Sequence, residues 1–223
     1  MARTTSRPSG ASSSSASSTP ALPVGARFEA INLHGIEKGS DTVGRCPGLV
    51  RSARFVTTNA GGAAGTVDAH RIILTREWGT YQRPVAVIGV NPSMADNLKD
   101  DPTINALYQH CEHWDRERLI MLNLFTLVAT EPADMRAHPY PECGGSIEAW
   151  EETFDPAHRD PNLIVVAAWG KNGTHRDQDR RAMKWLSYWG IEPKCLGINK
   201  DGTPVHPLYV RRGTPLVTYY GRP

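Results

Sequence analysis

Val85-Ala-Val-Ile-Gly-Val-Asn91-Pro92-Ser93 is a near-continuous apolar run that breaks at once into an Asn-Pro turn. It lacks the polar alternation of a strand with one wet face, so it predicts a strand buried on both sides, as in sheets covered by helices on each face. Pro92 fixes its own φ and stiffens the turn. That places the Asn91 amide at the carboxyl end of the strand, where open α/β sheets hold their ligands. Outward from this segment the same order of strand, turn and polar residue returns. Leu119-Ile-Met-Leu-Asn123-Leu-Phe125 and Leu163-Ile-Val-Val-Ala-Ala-Trp169-Gly170 read as two further core strands. Lys194 to Ile198 reads as a fourth, followed by a loop, Asn199 to Pro207, that carries His206.

Helical segments fall between these strands. Asp101-Pro102 is a helix start, with Asp capping free amides and Pro at the first helical position, and the helix is expected to reach about Trp114. Ile147 to Phe154 reads as a short helix. Arg176 to Trp189 reads as a longer one, with Ala182, Trp185, Leu186 and Trp189 on one stripe and Gly190 as its stop. His70 to Trp78 is expected to be a strand leading into the first core strand. Phe28 to Asn32 and Leu49 to Thr57 read as short strands, Gly61 to Gly65 as a loop, and Leu216 to Tyr220 as a terminal extended piece. Thr126 to Gly145 reads as a long proline-bearing loop with no regular element. Strands alternating with helices imply an α/β fold in three layers, αβα, around a mostly parallel central sheet of about four strands.

A chain of 223 residues suits one α/β domain, 27–223, behind a Ser/Ala/Pro-rich segment, 1–26. That segment holds eight serines by position 20 and almost no large apolar residue, so it cannot offset the entropy of ordering and is expected to be disordered. It has no apolar core of the kind a secretory signal needs, and no stretch approaches a membrane span. A soluble, cytoplasmic monomer is the expectation. Cys46, Cys111, Cys143 and Cys195 include no C-x-x-C pair, so reduced thiols are expected, with no metal centre and no cofactor. His110-Cys111-x-His113 lies on the first helix, where neighbours point to different faces, and reads as a core thiol between surface histidines. Net charge is +2, unevenly spread: residues 27–170 carry 13 basic and 19 acidic groups, residues 171–223 carry 10 and 4. The basic excess around His206 suits a phosphate backbone crossing one end of the sheet, and equally an ordinary solvated helix.

The run Asn91-Pro-Ser-Met-Ala-Asp96 with Asp101-Pro-Thr103, then Asn123-Leu-Phe125, Ala129-Thr130-Glu-Pro132, Ala168-Trp-Gly170, Leu196-Gly197, Lys200-Asp-Gly202 and His206-Pro-Leu-Tyr209, resembles the bacterial and phage domain-of-unknown-function family 1643. The resemblance covers about residues 70 to 212. Gly-x-Asn-Pro after the first core strand, the late His-Pro and the strand order also resemble the uracil-DNA glycosylase superfamily in its mismatch-specific and single-strand-selective branches. Ser93 stands where the mismatch-specific enzymes have Gly, and Leu208-Tyr209 follows His-Pro where they usually have Ser.

That second resemblance implies an enzyme that flips a damaged or modified pyrimidine out of DNA and hydrolyses its N-glycosidic bond. In such an enzyme Asn91 would position a water near the anomeric carbon, and His206 would stabilise the departing base by a hydrogen bond. Asn123 would read the base edge. Phe125, Trp169 or Tyr209 would stack on it, and Gly89, Pro92 and Ser93 would shape the pocket. Lys171, Arg176, Arg180, Lys184 and Lys200 would meet the phosphates. Each residue also has a plain structural reading: Asn91 a turn, His206 a local hydrogen bond, Asn123 a strand cap, Trp169 core. Asp96 is a candidate general base or nucleophile, and a reaction led by it would modify a base without excision. A reader of modified bases that performs no chemistry is the third alternative.

Overall fold

The computed structural model describes residues 48–58, 67–81 and 83–223, and the backbone of Glu37–Lys38. The Ser-rich segment 1–26, the expected strand at 28–32, Cys46 and the loop at 61–65 lie outside the described residues. The strands are β1 (Glu37–Lys38), β2 (Val50–Thr58), β3 (Asp68–Glu77), β4 (Pro84–Gly89), β5 (Arg118–Asn123), β6 (Ile164–Ala167), β7 (Lys194–Cys195) and β8 (Val217–Thr218). The helices are α1 (Pro102–His113), α2 (Pro132–Ala137), α3 (Gly145–Phe154) and α4 (Gln178–Tyr188). No helix among the described residues is long and apolar enough to cross a membrane.

The eight strands form one mixed sheet in the order β1-β2-β3-β5-β4-β6-β7-β8. The fold is α/β, but the expected mostly parallel sheet of about four strands is corrected. Four joints are antiparallel, those of β1 with β2, β2 with β3, β3 with β5 and β7 with β8. Three are parallel, joining β5, β4, β6 and β7. The reason is the long β2–β3 hairpin, which extends the sheet beyond β5 by local pairing, whereas parallel neighbours need crossovers.

β4 is buried along its whole length and its side chains alternate between two cores. Val85 and Val87 pack with Ile104, Leu107 and Cys111 of α1, while Ala86 and Ile88 pack with Trp150 and Phe154 of α3 and Leu186 of α4. From β4 the chain crosses over α1 to β5 on one side, then over α3 on the opposite face to β6 on the other side. Diverging crossovers leave a crevice at the carboxyl ends of β4 and its neighbours, the topological switch point of an open sheet.

Two further expectations change. The segment Thr126 to Gly145 contains α2, whose six residues are too few to show helical periodicity. His110 is 1% exposed and stacks on Trp114, so it is a core residue, whereas His113 is exposed. Cys111 is buried as expected.

Candidate active site

A cleft of about 890 Å³ opens at this switch point. Its walls come from the β4 exit (Asn91, Ser93), the start of α1 (Asp101, Thr103), the β6 exit (Trp169, Lys171) and the loop after β7 (His206, Tyr209). Of the four strand ends that the sequence singled out, those of β4 and β6 and the loop after β7 converge on one space, whereas the β5 end with Asn123 and Phe125 does not border it.

Asn91 is held by the donor half of its amide. Nδ2 donates to Pro92 O at 3.0 Å and to Ala129 O at 2.8 Å, tying the β4 exit to the segment before α2. Two carbonyl acceptors fix which end of the amide is nitrogen. Among the described residues no group donates to Oδ1, so the side chain offers the half-buried cleft one acceptor in a fixed place.

The loop bearing His206 is built by a tight turn. Asp201 accepts from the Thr203 amide and hydroxyl, Asn199 Nδ2 donates to Thr203 Oγ1, and the Val205 amide donates to Gly197 O. His206 Nδ1 then accepts from the Leu208 amide at 3.3 Å, capping the short turn Pro207–Tyr209. An acceptor at Nδ1 carries no proton, so the neutral ring carries its proton on Nε2. Burial lowers the His206 pKa below the ordinary histidine value, with Asp101 opposing. The ring is thus a neutral Nε2–H donor near pH 7. Gly170 turns the β6 exit past the ring with φ +61° and ψ −163°, a backbone conformation that favours glycine; a Cβ there would make only ordinary contact, 3.7 Å from His206 Cβ.

The wall between β4 and α1 hangs from two buried arginines. Arg76, fully buried, donates to Asp96 O at 2.6 Å and to Lys99 O at 3.2 Å and pairs with Asp100 at 2.7 Å. Arg71, 2% exposed, donates to Ala95 O at 2.8 Å and to Asn123 Oδ1 at 3.2 Å, and burial lowers its pKa to about 10. The Asp96 carboxylate accepts from the Leu98 and Lys99 amides, both at 2.7 Å, and does not line the cleft. Asp101 does. Its Oδ1 accepts from the Ile104 amide at 2.9 Å, and the same carboxylate is the charge felt by His206. Asp100 also borders the cleft but is taken up by Arg51, Arg76 and Tyr108, so among the described residues Asp101, hidden at the sequence level by its role as helix cap, is the cleft carboxylate not committed to an ion pair.

Several expected contacts lie at or beneath the floor of the cleft: Trp169 borders it with little exposed surface, and Asn123 borders a separate pocket between α3 and α4. Asn123 is 4% exposed and held by Arg71, Phe125 is fully buried against His175, and Trp169 is 1% exposed against Tyr219. Gly89 makes room for this layer: a Cβ there would meet Met121 Cε at 2.6 Å and Asn123 Nδ2 at 2.9 Å. Pro92 is buried and turns the chain into the cleft wall. Tyr209 is 83% exposed at the rim, 5.8 Å from the His206 ring, and is the aromatic face open to a ligand.

The basic residues do not form one track. Lys171 is exposed and lines the cleft, and Lys200 is exposed on the turn before His206. Arg176 precedes α4 with φ +53° and donates to His138 O and Pro139 O, so it does not share a helical face with Arg180 and Lys184. Arg180 donates to Pro223 O, and Lys184 sits beside the α4 and β8 edge, away from the cleft.

Sequence reasoning passed over Arg71, Asp101, Thr103 and Thr130. Arg71 lies among the polar residues of β3, beside His70 and before the apolar run Ile72-Ile73-Leu74, so no local pattern marked it as a buried polar device. No curated protein and no solved structure shows a match to the chain. Residues 71–208 match the model of a family described as a protein of unknown function (DUF1643), a span that begins at Arg71 and ends two residues after His206.

Proposed function

We propose, for a chain that belongs to the DUF1643 family, that the cleft hydrolyses the N-glycosidic bond of a damaged or modified pyrimidine flipped out of DNA, in the manner of uracil-DNA glycosylases. One observation carries the reading: a fixed acceptor, Asn91 Oδ1, and a fixed neutral donor, His206 Nε2–H, line the same half-enclosed cleft. Breaking the bond needs help at both ends. The base leaves with the bonding electron pair, and a hydrogen bond from His206 stabilises the charge it gains. The sugar is left as a cation, for which the Asp101 carboxylate supplies the complementary charge. A water donating one hydrogen bond to Asn91 Oδ1 adds its oxygen to the anomeric carbon, and the proton it loses neutralises the departed base. An amide is too weak a base to take that proton early, which favours bond breaking ahead of water attack.

Tyr209 at the rim suits stacking on the flipped base, and Lys171 suits a flanking phosphate. The Asp96 alternative loses ground because that carboxylate already holds two amides of its own turn. The test is product analysis. Oligonucleotides bearing uracil, 5-hydroxymethyluracil and other modified pyrimidines are incubated with the protein and analysed by nucleoside mass spectrometry. Free base with an abasic strand is the expected result for at least one substrate. An altered base retained in the strand would replace hydrolysis by modification, and binding with neither product would make the cleft a reader.

A further inference from the structure

We infer that the molecule holds a second pocket, separate from the cleft, that takes one uncharged planar heterocycle through its lactam edge. The pocket lies between α3 and α4 on the opposite face of the sheet from α1 and shares no lining residue with the cleft. Its walls are indoles. Trp150 and Trp189 show 8% and 6% of their surface, and Trp185 stacks on Trp189 with ring centres 5.3 Å apart. Three indoles around one space supply flat faces for an aromatic guest.

The second, independent observation is the amide of Gln178. The residue is 5% exposed and lines the pocket, yet its Nε2 is buried without a hydrogen-bond partner, and no described residue donates to its Oε1. A buried donor left unmade destabilises the fold, so an amide with both ends unused points to a partner that enters from outside. Donor and acceptor side by side complement a lactam, whose N–H and C=O are likewise adjacent. Ser146 adds a hydroxyl at the wall. Arg181 at the mouth is paired with Glu142 at 3.5 Å, so the entrance is near neutral and favours an uncharged guest. The space, about 50 Å³ and half open to solvent, is smaller than the roughly 150 Å³ cavity that encloses a benzene, so one ring would enter by its edge with its far side in water, and two fused rings would lie largely outside. A pyrimidine base is a single ring with this edge. The inference is independent of the hydrolysis proposed for the cleft.

The probe is 5-fluorouracil, followed by its fluorine resonance while the full chain is titrated. Saturable broadening or shift at millimolar probe is expected. Gln178→Leu removes the unpartnered amide at nearly constant shape, so its melting temperature should stay level or rise while affinity falls at least about tenfold, the loss of one good hydrogen-bonded edge. Trp185→Ala should weaken binding similarly, and keeps the test open should the leucine variant fail to fold. His206→Ala, which alters the cleft and not the α3–α4 pocket, should retain the component of binding that Gln178→Leu loses. Absence of saturable binding overturns the inference, as does unchanged affinity in both pocket variants. Loss of that component in His206→Ala places the ring in the cleft and also overturns it.

Discussion

Lowering the pH from 7 to 5 should unfold part of this protein's stability through one residue, His70. Its side chain is 1% exposed, with Nδ1 2.9 Å from Thr126 Oγ1 and Nε2 3.2 Å from Thr58 Oγ1. A neutral ring needs one donor and one acceptor, which two hydroxyls supply. An imidazolium would require both hydroxyls to accept and would put a positive charge out of water, which burial disfavours. Burial, opposed in part by Asp68, holds the His70 pKa down at about 4 against an ordinary 6.5. Because the folded value is the lower one, the unfolded chain takes up the proton first as the pH falls. Stability is therefore full above about 6.5 and is lost between 6.5 and 4. The loss is about 2 kcal/mol at pH 5 and approaches about 3 kcal/mol below pH 4, at 1.36 kcal/mol per unit. Urea unfolding of the parent and of His70→Gln at pH 7 and pH 5 isolates this residue from every other titrating group. The parent should lose about 2 kcal/mol more than the variant over that interval. Equal losses would refute the assignment of His70 as a buried neutral histidine.

Gly89→Ala should cost about 1 kcal/mol, because the Met121 end can shift while Asn123 is held by Arg71, read by thermal unfolding; a melting temperature within error of the parent's would contradict the account of that layer. If DNA crosses the cleft mouth, Lys171→Ala should reduce the salt dependence of DNA affinity by about one counterion, whereas Arg180→Ala with Lys184→Ala should leave it unchanged, as measured by fluorescence anisotropy over a potassium chloride series. The acid limb of the rate profile should fall below the ordinary histidine pKa, since burial lowers that of His206 and protonation of Nδ1 would remove the acceptor for the Leu208 amide; a limb above 6.5 would exclude His206 as the titrating group. Asp101→Asn keeps a capping side chain but removes the charge, and should slow single turnovers by roughly tenfold or more, while Asp96→Asn should leave the rate near that of the parent.

Where the sequence was legible, one signal sufficed. Apolar runs located β4, β5 and β6, and Asp101-Pro102 located α1, because burial on both faces and capping are local properties. That Asn91 and His206 border one cleft was legible because each precedes a proline in a turn, Asn91 after the end of β4 and His206 in the loop after β7. What was hidden depends on partners far along the chain. Asn123 stands at a strand end like Asn91, but Arg71, 52 residues earlier, claims its carbonyl and draws it below the cleft. Trp169 ends β6 as a base-stacking residue would, yet the Tyr219 ring closes over it from the last segment. The antiparallel half of the sheet was missed because, although both strands and the glycine-rich stretch between them were legible, the residue pattern does not say that β2 and β3 pair with each other and with β5. The basic face on α4 dissolved because Arg176 lies outside the helix, in a left-handed conformation that no period reveals.

The central claim is that the cleft breaks a glycosidic bond with Asn91 and His206 acting at opposite ends of it. Single-turnover kinetics on the best substrate of the oligonucleotide panel test it most directly, with substrate affinity measured alongside. His206→Ala and Asn91→Ala should each lower the rate by roughly two to three powers of ten with affinity largely intact, as when transition-state contacts are removed. Asn91→Asp should retain or raise activity, since a carboxylate can orient the water and face the sugar cation. Turnover that survives both alanine substitutions but is abolished by Asp96→Asn would contradict the claim and put base modification led by that carboxylate in its place.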